Sequence, residues 1–392
     1  MSAQPTSSAA VTAIPAGVFC AQDYEVLARK LLPAPTLAYL AGGAGRDITL
    51  RANRLALREW SIWPRLLHDV SGGHTRLALG GTSFTHPLLL APVAFQTLAH
   101  PRGELETARA AAATDTCLVA STLSTHRLED IAAAAGPLRW FQLYMQPTRE
   151  ATLGLVRRAE QAGYAALVLT LDTSIQPPSH RALRAGFRMP ADCVAANLSA
   201  AVGPSGESAP ASRIFQGLMR DAPGWDDVAW LRTETRLPIW IKGVLHPADA
   251  ARLQQAGAAG LVVSNHGGRS LDGAPASLHA LPAIRARVGT DFPLLFDGGI
   301  RCGEDVFKAV ALGADAVLIG RLQVYALAVA GALGVAHMLK LLREELEACM
   351  ALAGCATLAD IGPGALLAQP AAAMPAHWQD EPSDGRTDAD LD

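Results

Sequence analysis

The chain has 392 residues, half of them apolar, which is enough for one large or two ordinary domains with a sizeable buried core. Its formal net charge of -3 at pH 7, without long runs of like charge, excludes an electrostatic footprint for nucleic acid or for an anionic membrane surface. No apolar stretch of about 18 residues, no signal-like N-terminus and no CxxC pair among its six cysteines occur, so we expect a cytoplasmic protein without a membrane span.

Both ends of the chain differ in composition from the middle. Residues 1–16 are rich in Ser, Ala, Thr and Pro, and residues 369–392 combine Ala and Pro with many Asp residues. Such compositions contain too few packing residues to order themselves, so we predict a disordered tail at each end. Residues 17–368 are then expected to form a single domain, whose first part, 20–85, caps the rest.

Eight β-rich apolar runs follow along the chain. They occupy residues 87–95, 117–123, 139–145, 166–173, 238–244, 260–267, 293–300 and 316–321. Most of the gaps hold a segment with the apolar period of an amphipathic helix, such as "REATLGLVRRAEQAG" and "GEDVFKAVALGA". Continuous apolar strands that alternate with helices indicate a parallel sheet covered on both faces.

Eight such units favour a closed (β/α)8 TIM barrel, an α/β fold, over an open doubly wound sheet, because no Gly-x-Gly-x-x-Gly follows the first strand. The gap after the fourth strand contains "NLSAAVGPSGESAPASRIF", whose composition predicts a long mobile loop over the barrel mouth. The periodic "GVAHMLKLLREELEACMALAG" after the eighth strand predicts a closing helix.

Polar or small side chains stand at the end of every predicted strand, which is where barrels of this type carry their chemistry. They are Ala94, Ser121, Gln142 with Tyr144, Thr170 with Asp172, Lys242, His266 with Arg269, Asp297, Gly298 and Gly299 with Arg301, and Gly320 with Arg321. Taken singly, a Ser or Thr is more often a turn former, a Lys is solvated and a His is a satisfied core residue. Because all of these residues are expected at the same rim of the barrel, together they predict an active site there.

The glycines and arginines after strands seven and eight indicate a phosphate site. "DGGIRCGEDVF" and "IGR" place backbone N–H groups and two guanidinium groups where this barrel frequently binds phosphate. Ordinary turn glycines are the alternative. A phosphate there, with hydrogen-bonding side chains on strands two to five, would hold a flat phosphorylated cofactor across the mouth.

These motifs carry a resemblance to a known family. From about residue 20 to 360 the chain resembles the FMN-dependent 2-hydroxy-acid oxidising enzymes, such as glycolate oxidase, lactate oxidase, flavocytochrome-type lactate dehydrogenase and mandelate dehydrogenase. The matching segments are "AYLAGGAGRD", "LAPVAFQTLAHPRGE", "FQLYMQ", "LTLDT", "IKGV", "SNHGGR", "DGGIRCGEDVFKA" and "LGADAVLIGR". The resemblance implies FMN as cofactor and oxidation of an L-2-hydroxy acid to the 2-oxo acid.

The resemblance also implies roles at the catalytic positions. His266 would be the base that removes a proton from the substrate, and Asp172 would orient its imidazole and stabilise the protonated form. Arg269 would clamp the substrate carboxylate with its planar fork. Tyr39 would hydrogen-bond the same carboxylate, and Tyr144 the substrate hydroxyl.

The remaining matched positions would bind the cofactor. Lys242 would place a positive charge beside the flavin, favouring its anionic reduced form. The other expected cofactor-binding residues are Pro92, Val93, Ala94, Ser121, Gln142, Thr170, Ser264, Asp297, Gly298, Gly299, Arg301, Gly320 and Arg321. No metal site is expected.

Three positions depart from the family pattern. Ser179 stands where an arginine usually follows the strand-four aspartate, Leu123 replaces the aromatic residue of the glycolate-oxidising members, and Ser270 follows Arg269 where glutamine is common. We therefore expect a substrate bulkier than glycolate, with an aryl group or a longer chain. Alternatively, His180 or Arg181 reaches into the space of the missing arginine.

Two other interpretations stay open on the residues. Another phosphate-binding barrel enzyme, such as an FMN-dependent isomerase or an aldolase, explains the glycines but not His266 and Arg269 aligned with Asp172 and two tyrosines. A non-catalytic flavin-binding subunit is favoured by the missing arginine alone. The expected partners are a small 2-hydroxy acid, an electron acceptor that the sequence leaves open among oxygen, a quinone and a cytochrome, and further copies of the chain in a homotetramer.

Overall fold

The computed structural model describes residues 13–198 and 212–369. Its strands, in chain order, are β1 (Trp60–Ile62), β2 (Leu77–Leu79), β3 (Thr82–Phe84), β4 (Leu88–Leu90), β5 (Cys117–Ala120), β6 (Arg139–Leu143), β7 (Leu167–Thr170), β8 (Ile239–Val244), β9 (Gly260–Val263), β10 (Leu294–Asp297), β11 (Ala316–Ile319) and β12 (Leu366–Ala368). Its α-helices are α1 (Asp23–Leu31), α2 (Ala34–Ala41), α3 (Ile48–Arg58), α4 (Gly103–Ala113), α5 (Leu128–Ala134), α6 (Arg149–Gln161), α7 (His180–Arg184), α8 (Trp225–Glu234), α9 (Pro247–Gln255), α10 (Ser277–Val288), α11 (Gly303–Ala311) and α12 (Arg321–Ala353).

Strands β4 to β11 form a closed parallel barrel. Each pairs with its neighbours in the chain, and β11 pairs with β4 to complete the ring. Each of the eight predicted runs contains one of these strands, so the predicted (β/α)8 fold is confirmed. Residues 199–211, the centre of the predicted mobile loop, lie outside the described residues, as do residues 1–12 and 370–392 of the predicted tails.

The barrel interior is filled by every second residue of its strands, because successive side chains of a strand point to opposite faces. Trp140 of β6 and Trp240 of β8 stack there with ring centroids 4.8 Å apart. Phe84 of β3 meets Trp140 edge-on at 6.2 Å, so the β2–β3 hairpin closes this end of the barrel. The alternate residues pack outward against the helices.

Two residues further towards the C-terminal end of each strand, the inward side chain is polar or small. The residues at this level are Ala91, Ser121, Gln142, Thr170, Lys242, Ser264, Asp297 and Gly320. A single side-chain periodicity therefore produces both the core of the barrel and the floor of a site at the C-terminal ends of its strands.

The segment before the barrel contributes to both of its ends. The β2–β3 hairpin covers one end, whereas the turn between α2 and α3 reaches the opposite rim, where the carbonyl of Gly42 contacts two arginines. The predicted cap is thus divided in two. In addition, β1 pairs with β12 in an antiparallel arrangement that joins the segment before the barrel to the C-terminal end of the described chain.

Helix α12 follows the last barrel strand and is longer than the predicted closing helix. Its backbone is interrupted at Ala330 and Gly331, where the chain leaves the helical conformation. Among the described residues it is the helix whose length and composition would allow it to cross a membrane, but 72% of its most apolar window is buried inside the fold. It packs against α1, α4 and α11, as a core helix does.

We expect Trp240→Ala to lower the free energy of unfolding by about 3–5 kcal/mol, because it leaves a large cavity in the barrel interior. Urea titration of the FMN-loaded protein measures the change. Trp63→Ala is the control, because Trp63 is 58% exposed, and a surface substitution shifts stability by about 0.5 kcal/mol or less. Equal effects of the two substitutions would contradict this role of Trp240.

Candidate active site

A cavity of about 1110 Å³, its open mouth included, lies at the C-terminal rim of the barrel. Most of the predicted site residues line it: Tyr39, Pro92, Val93, Ala94, Ser121, Tyr144, Lys242, His266, Arg269, Asp297, Gly298, Gly299, Arg301, Gly320 and Arg321. Gln142, Thr170, Asp172 and Ser264 do not line it, and three of them hydrogen-bond lining residues: Gln142 binds Ser121, Asp172 binds His266, and Ser264 binds Lys242 and Asp297. Several other lining residues were not predicted from the sequence, among them Leu40, Phe95, Gln176, Ile300 and Tyr325.

His266 is held on a strained turn after β9. Its φ of 59° is left-handed, and Gly267 and Gly268 follow at 61° and 78°. A Cβ on Gly268 would lie 2.5 Å from the backbone nitrogen of Leu50, so glycine is required where α3 approaches the turn. A left-handed non-glycine residue costs about 1–2 kcal/mol and persists only where its surroundings impose it.

A pair of buried amides supports this turn. Asn265, next to His266, accepts a hydrogen bond from the backbone N–H of Gly268 at 3.0 Å. The side-chain amides of Asn265 and Asn53 of α3 bind each other reciprocally, both contacts measuring 2.8 Å. Asn53 supports the turn although no sequence motif pointed to it, whereas Asn265 lies inside the "SNHGGR" motif.

His266 and Asp172 form the expected dyad. The Nδ1 of His266 lies 2.9 Å from Oδ1 of Asp172, which follows β7. Burial alone would raise the pKa of Asp172, but His266 and Lys242 hold it below its ordinary value. An ionised Asp172 accepts the Nδ1 proton, so the lone pair of the neutral imidazole lies on Nε2, ready to accept a proton.

Lys242 is a buried cation in the floor of the site. Its Nζ donates to Oγ of Ser264 at 2.9 Å and lies 3.1 Å from Oδ2 of Asp297, and Ser264 donates to the same carboxylate at 2.6 Å. Burial alone would lower the pKa of Lys242, but Asp297 and Asp172 outweigh it and raise this pKa. The lysine therefore stays charged and can stabilise negative charge above it.

The floor also contains buried hydrogen-bond donors without partners, with which a flat cofactor could pair. Among the described residues, Nε2 of Gln142, Oγ1 of Thr170 and Nε of Arg321 are buried and have no hydrogen-bond partner. The carbonyl oxygen of the Gln142 side chain accepts from Ser121 and from the backbone N–H of Thr122, which orients its amide nitrogen. Such orphaned groups are costly unless a ligand pairs with them. They match the polar edge of an isoalloxazine ring.

The arginine and glycine end of the cavity suits a phosphate. Gly298 and Gly299 have φ values of 127° and 93°, and a Cβ on Gly299 would lie 2.8 Å from the backbone oxygen of Asn53. Burial and the neighbouring Arg269 lower the pKa of Arg321 to about 10. A bound anion would relieve both effects, so the residues present fit the phosphate of FMN.

Arg269 forms the substrate end of the cavity with Tyr39. Its Nη1 donates to the carbonyls of Tyr39 at 2.8 Å and Gly42 at 2.9 Å, and its guanidinium lies 4.9 Å from the centre of the Tyr39 ring. Tyr39 in turn stacks on Phe187 at 4.3 Å. The Nε and Nη2 of Arg269 have no hydrogen-bond partner in the described part of the chain, so they can bind a carboxylate. Tyr144 and Leu123 line the same end.

The loop after β7 carries the departure from the family pattern. Ser179 caps α7 through a hydrogen bond from the backbone of Ala182 and does not line the cavity. Arg181 does not reach the cavity either, because its guanidinium binds Asp47. His180 is exposed and does not line it, so this loop contributes Gln176 instead. The alternative that His180 or Arg181 reaches into the space of the missing arginine is therefore wrong.

Comparisons with known proteins agree with this geometry. Residues 28–368 match the family described as FMN-dependent dehydrogenase. The chain belongs to this family. It is 67% identical over 350 residues to a protein of Alicycliphilus denitrificans named L-lactate oxidase, covering 89% of this chain and 96% of the relative. It is 44% identical over 335 residues to the 4-hydroxymandelate oxidase of Amycolatopsis orientalis, covering 85% and 94%.

A solved structure shows the same architecture. A mandelate oxidase crystallised with (S)-2-phenylpropionate superposes with a TM-score of 0.79 at 42% identity, covering 87% of this chain and 96% of that one. The predicted family, fold, FMN cofactor and enzyme class are thereby confirmed: this member of the family is an FMN-dependent enzyme that oxidises 2-hydroxy acids. Among residues 13–198 and 212–369, no group of three or more His, Cys, Asp or Glu side chains is arranged to hold a metal ion.

One predicted phosphate ligand of this enzyme has a partner that the sequence did not indicate. The Nε of Arg301 donates to Glu25 of α1 at 2.9 Å, and its Nη1 donates to the carbonyl of Ile300. Burial alone would raise the pKa of Glu25, but Arg301 and Arg29 lower it to about 2. Helix α1 thus holds one arginine of the cofactor end in place.

We expect His266→Ala to retain FMN, because the imidazole lies at the substrate end, and to slow 2-oxo acid formation by about 10²–10⁴-fold, the usual value of a general base. The visible spectrum measures the FMN content, and stopped-flow or steady-state assays measure the rate. A variant that works within about threefold of the wild type would rule out this role, since a general base contributes at least about 10²-fold.

The Glu25–Arg301 pair should make stability depend on acid pH. The pKa of Glu25 lies below its ordinary value, so the pair stabilises the fold above about pH 4.5 and loses its effect as the pH falls towards 2. Urea titrations at about pH 6 and pH 3 should show that the loss of stability in Glu25→Gln is clearly smaller at the lower pH, where part of the stabilisation by the ionised carboxylate is already lost. Glu347→Gln breaks an exposed pair with Arg343 and is expected to cost little at either pH.

A stability difference for Glu25→Gln that is as large at the lower pH as at the higher one would show that packing, and not charge, accounts for it.

Proposed function

We propose that this enzyme oxidises an L-2-hydroxy acid with an apolar side chain larger than the hydrogen of glycolate, and that molecular oxygen reoxidises its FMN. L-lactate is the first candidate, supported by the relative of that name at 67% identity. Oxygen as acceptor is supported by the names of the relatives, which are oxidases. The cytoplasmic location and the homotetramer expected from the sequence stay predictions.

One observation supports this proposal most strongly. A base and a side chain that can bind a carboxylate line the same cavity. His266 and Arg269 line that cavity, three residues apart on one turn, and Asp172 fixes the imidazole from behind. The guanidinium can bind the substrate carboxylate through two nitrogens, a geometry that a lysine cannot provide. The bound acid is thereby oriented with its hydroxyl-bearing carbon towards His266 and the floor of the barrel.

The protein groups divide the work of the oxidation. A 2-hydroxy acid loses two electrons and two protons when it becomes a 2-oxo acid. FMN, when bound, would supply the acceptor for the electron pair and for one of the two protons. His266 takes one proton on Nε2, and Asp172 stabilises the resulting imidazolium. Tyr144 and Tyr39 hold the polar groups of the substrate, and Lys242 stabilises negative charge beneath them. Two electrons and two protons then reduce oxygen to hydrogen peroxide.

Aryl acids are the second candidate substrates, and a specific feature of the pocket favours them. Leu123, which is smaller than an aromatic side chain, lines the cavity, whereas Ser179 does not line it. The names of two relatives, 4-hydroxymandelate oxidase and mandelate oxidase, are consistent with such substrates. Lactate and mandelate differ only in the group that would face Leu123 and Gln176.

An anaerobic bleaching screen tests the proposal. The pure enzyme is mixed with glycolate, L-lactate, D-lactate, L-mandelate and a longer 2-hydroxy acid, and flavin absorbance is followed before oxygen is admitted and peroxide is measured. We expect L-lactate or L-mandelate to bleach the flavin fastest. Bound flavin that no acid bleaches would favour a non-catalytic flavin-binding subunit. Bleaching without peroxide formation would point to a quinone or a cytochrome as acceptor.

We expect Leu123→Trp to lower the ratio of kcat/KM for mandelate over lactate by at least tenfold, since size mismatches in apolar pockets are worth about 10–200-fold. Leu123→Met conserves volume and is the matched control, with an expected change below about threefold. A ratio that does not fall in the Trp variant would show that the substrate side chain lies elsewhere.

A further inference from the structure

We propose that Arg181 is a positioning residue: by neutralising the buried carboxylate of Asp47, it keeps the affinity of the site for the substrate carboxylate high. This inference rests on the proposed function to the extent that the carboxylate binds Arg269. It assigns a role to two residues that do not touch the cavity.

The argument begins with one backbone carbonyl. The oxygen of Gly42 accepts hydrogen bonds from Nη1 of Arg269 at 2.9 Å and from Nη2 of Arg321 at 2.8 Å. These guanidinium groups serve the two anionic ends of the site, the substrate carboxylate and the cofactor phosphate. This carbonyl therefore helps to orient both cations, together with the carbonyl of Tyr39 for Arg269 and that of Gly267 for Arg321.

The turn that carries this carbonyl is held by Asp47. Its Oδ1 accepts from the backbone N–H of Gly43 at 2.6 Å, directly after the shared carbonyl. Asp47 itself has a left-handed φ of 63°, so its side chain folds back over the turn. The turn is further fixed against the catalytic segment by Ala44, whose N–H donates to the carbonyl of Gly268 at 2.7 Å.

Arg181 neutralises this carboxylate. Its Nε and Nη2 both reach Oδ2 of Asp47, at 2.8 Å and 2.7 Å. Asp47 is only 4% exposed, and a buried carboxylate needs such a partner because an unpaired charge in that position is costly. The side chain of Arg181 is 30% exposed, so it connects the buried turn to the surface of the loop after β7.

The charge balance explains why the pair acts on anion binding. Burial and Arg269 lower the pKa of Arg321, and Asp47 is among the groups that act in the opposite direction, so its field reaches the site. Arg181, with two nitrogens on one oxygen of this carboxylate, offsets part of that field. Without Arg181, an uncompensated negative charge stands beside the two cations that must attract anions. The result is weaker binding of a carboxylate at Arg269.

Four variants of the FMN-loaded enzyme separate this charge effect from a merely structural one. Arg181→Gln removes the neutralising charge. Asp47→Asn keeps an oxygen for Gly43 but removes the carboxylate, and the double variant Asp47→Asn with Arg181→Gln removes both charges. Arg184→Gln is the matched control, because Arg184 is an exposed arginine on the same helix α7.

The main measurement is the Kd of oxalate, a dicarboxylate without a C–H bond to oxidise, from the change in flavin absorbance. We expect Arg181→Gln to raise this Kd about five- to tenfold, a common range for coupled neighbouring groups. Asp47→Asn, the double variant and Arg184→Gln should stay within about twofold of the wild type, because none leaves a buried unpaired carboxylate. With the best substrate, KM should rise in Arg181→Gln while kcat changes less than about threefold, as for a group that affects binding uniformly.

Two results would overturn the inference: Arg181→Gln binds oxalate as the control does, or the double variant binds it no better than Arg181→Gln. If Arg181→Gln does not fold, Asp47→Asn decides, since oxalate binding more than about twofold weaker in that variant would indicate a structural role. Absence of oxalate binding to the wild type also overturns it. Failure of the proposed function looks different, because no hydroxy acid would then bleach the flavin although oxalate binding still follows the charge at positions 47 and 181.

Discussion

The closure of eight short parallel strands into a ring is the constraint on which the site depends. Because strand side chains alternate, every strand must place each second residue inside the ring, and the ring is too narrow to leave that space empty. Large apolar groups such as Trp140 and Trp240 fill the lower layers. The last inward residues, Lys242 and Asp297 among them, arrive together at the rim whatever their distance in sequence. Core and catalytic floor are two levels of one packing arrangement.

Charge in this floor is tolerated because it is paired. Lys242 has Asp297 and Ser264 within hydrogen-bond distance, and Asp172 has His266. The pairing serves both stability and chemistry, since an ionised Asp172 gives His266 the tautomer that accepts a proton on Nε2. The same low-dielectric surroundings make each fixed charge more effective towards a bound anion than it would be in water.

The segment that precedes the barrel gives its loops the rigidity that catalysis needs. Loop residues are usually mobile, and a strained left-handed histidine is stable only where its neighbours hold it. Asn53 of α3 binds Asn265, and the backbone of Leu50 abuts Gly268, so the turn with His266 is packed against a helix. Gly42 extends this support to Arg269 and Arg321. The cap is therefore part of the active site and more than a cover.

Much of this protein could be predicted from local patterns. Apolar runs of strand length, the helical periods between them and motifs such as "SNHGGR" and "DGGIR" are each readable within a dozen residues, and they predict the barrel, its rim and the cofactor. Other features escaped prediction because they join residues far apart. Asn53 and Asn265 are separated by 212 positions, Asp47 and Arg181 by 134, and Glu25 and Arg301 by 276.

The sequence by itself determined which side chains reach the barrel rim, because strand alternation and strand ends are local properties of the chain. It also determined that Ser179 could not supply the missing positive charge. Only the tertiary structure decided what Arg181 does, since that depends on how the turn of the cap packs beside the loop after β7. A charged side chain near a site binds whichever opposite charge folding brings closest, and here the carboxylate of Asp47 lies within 2.8 Å of it.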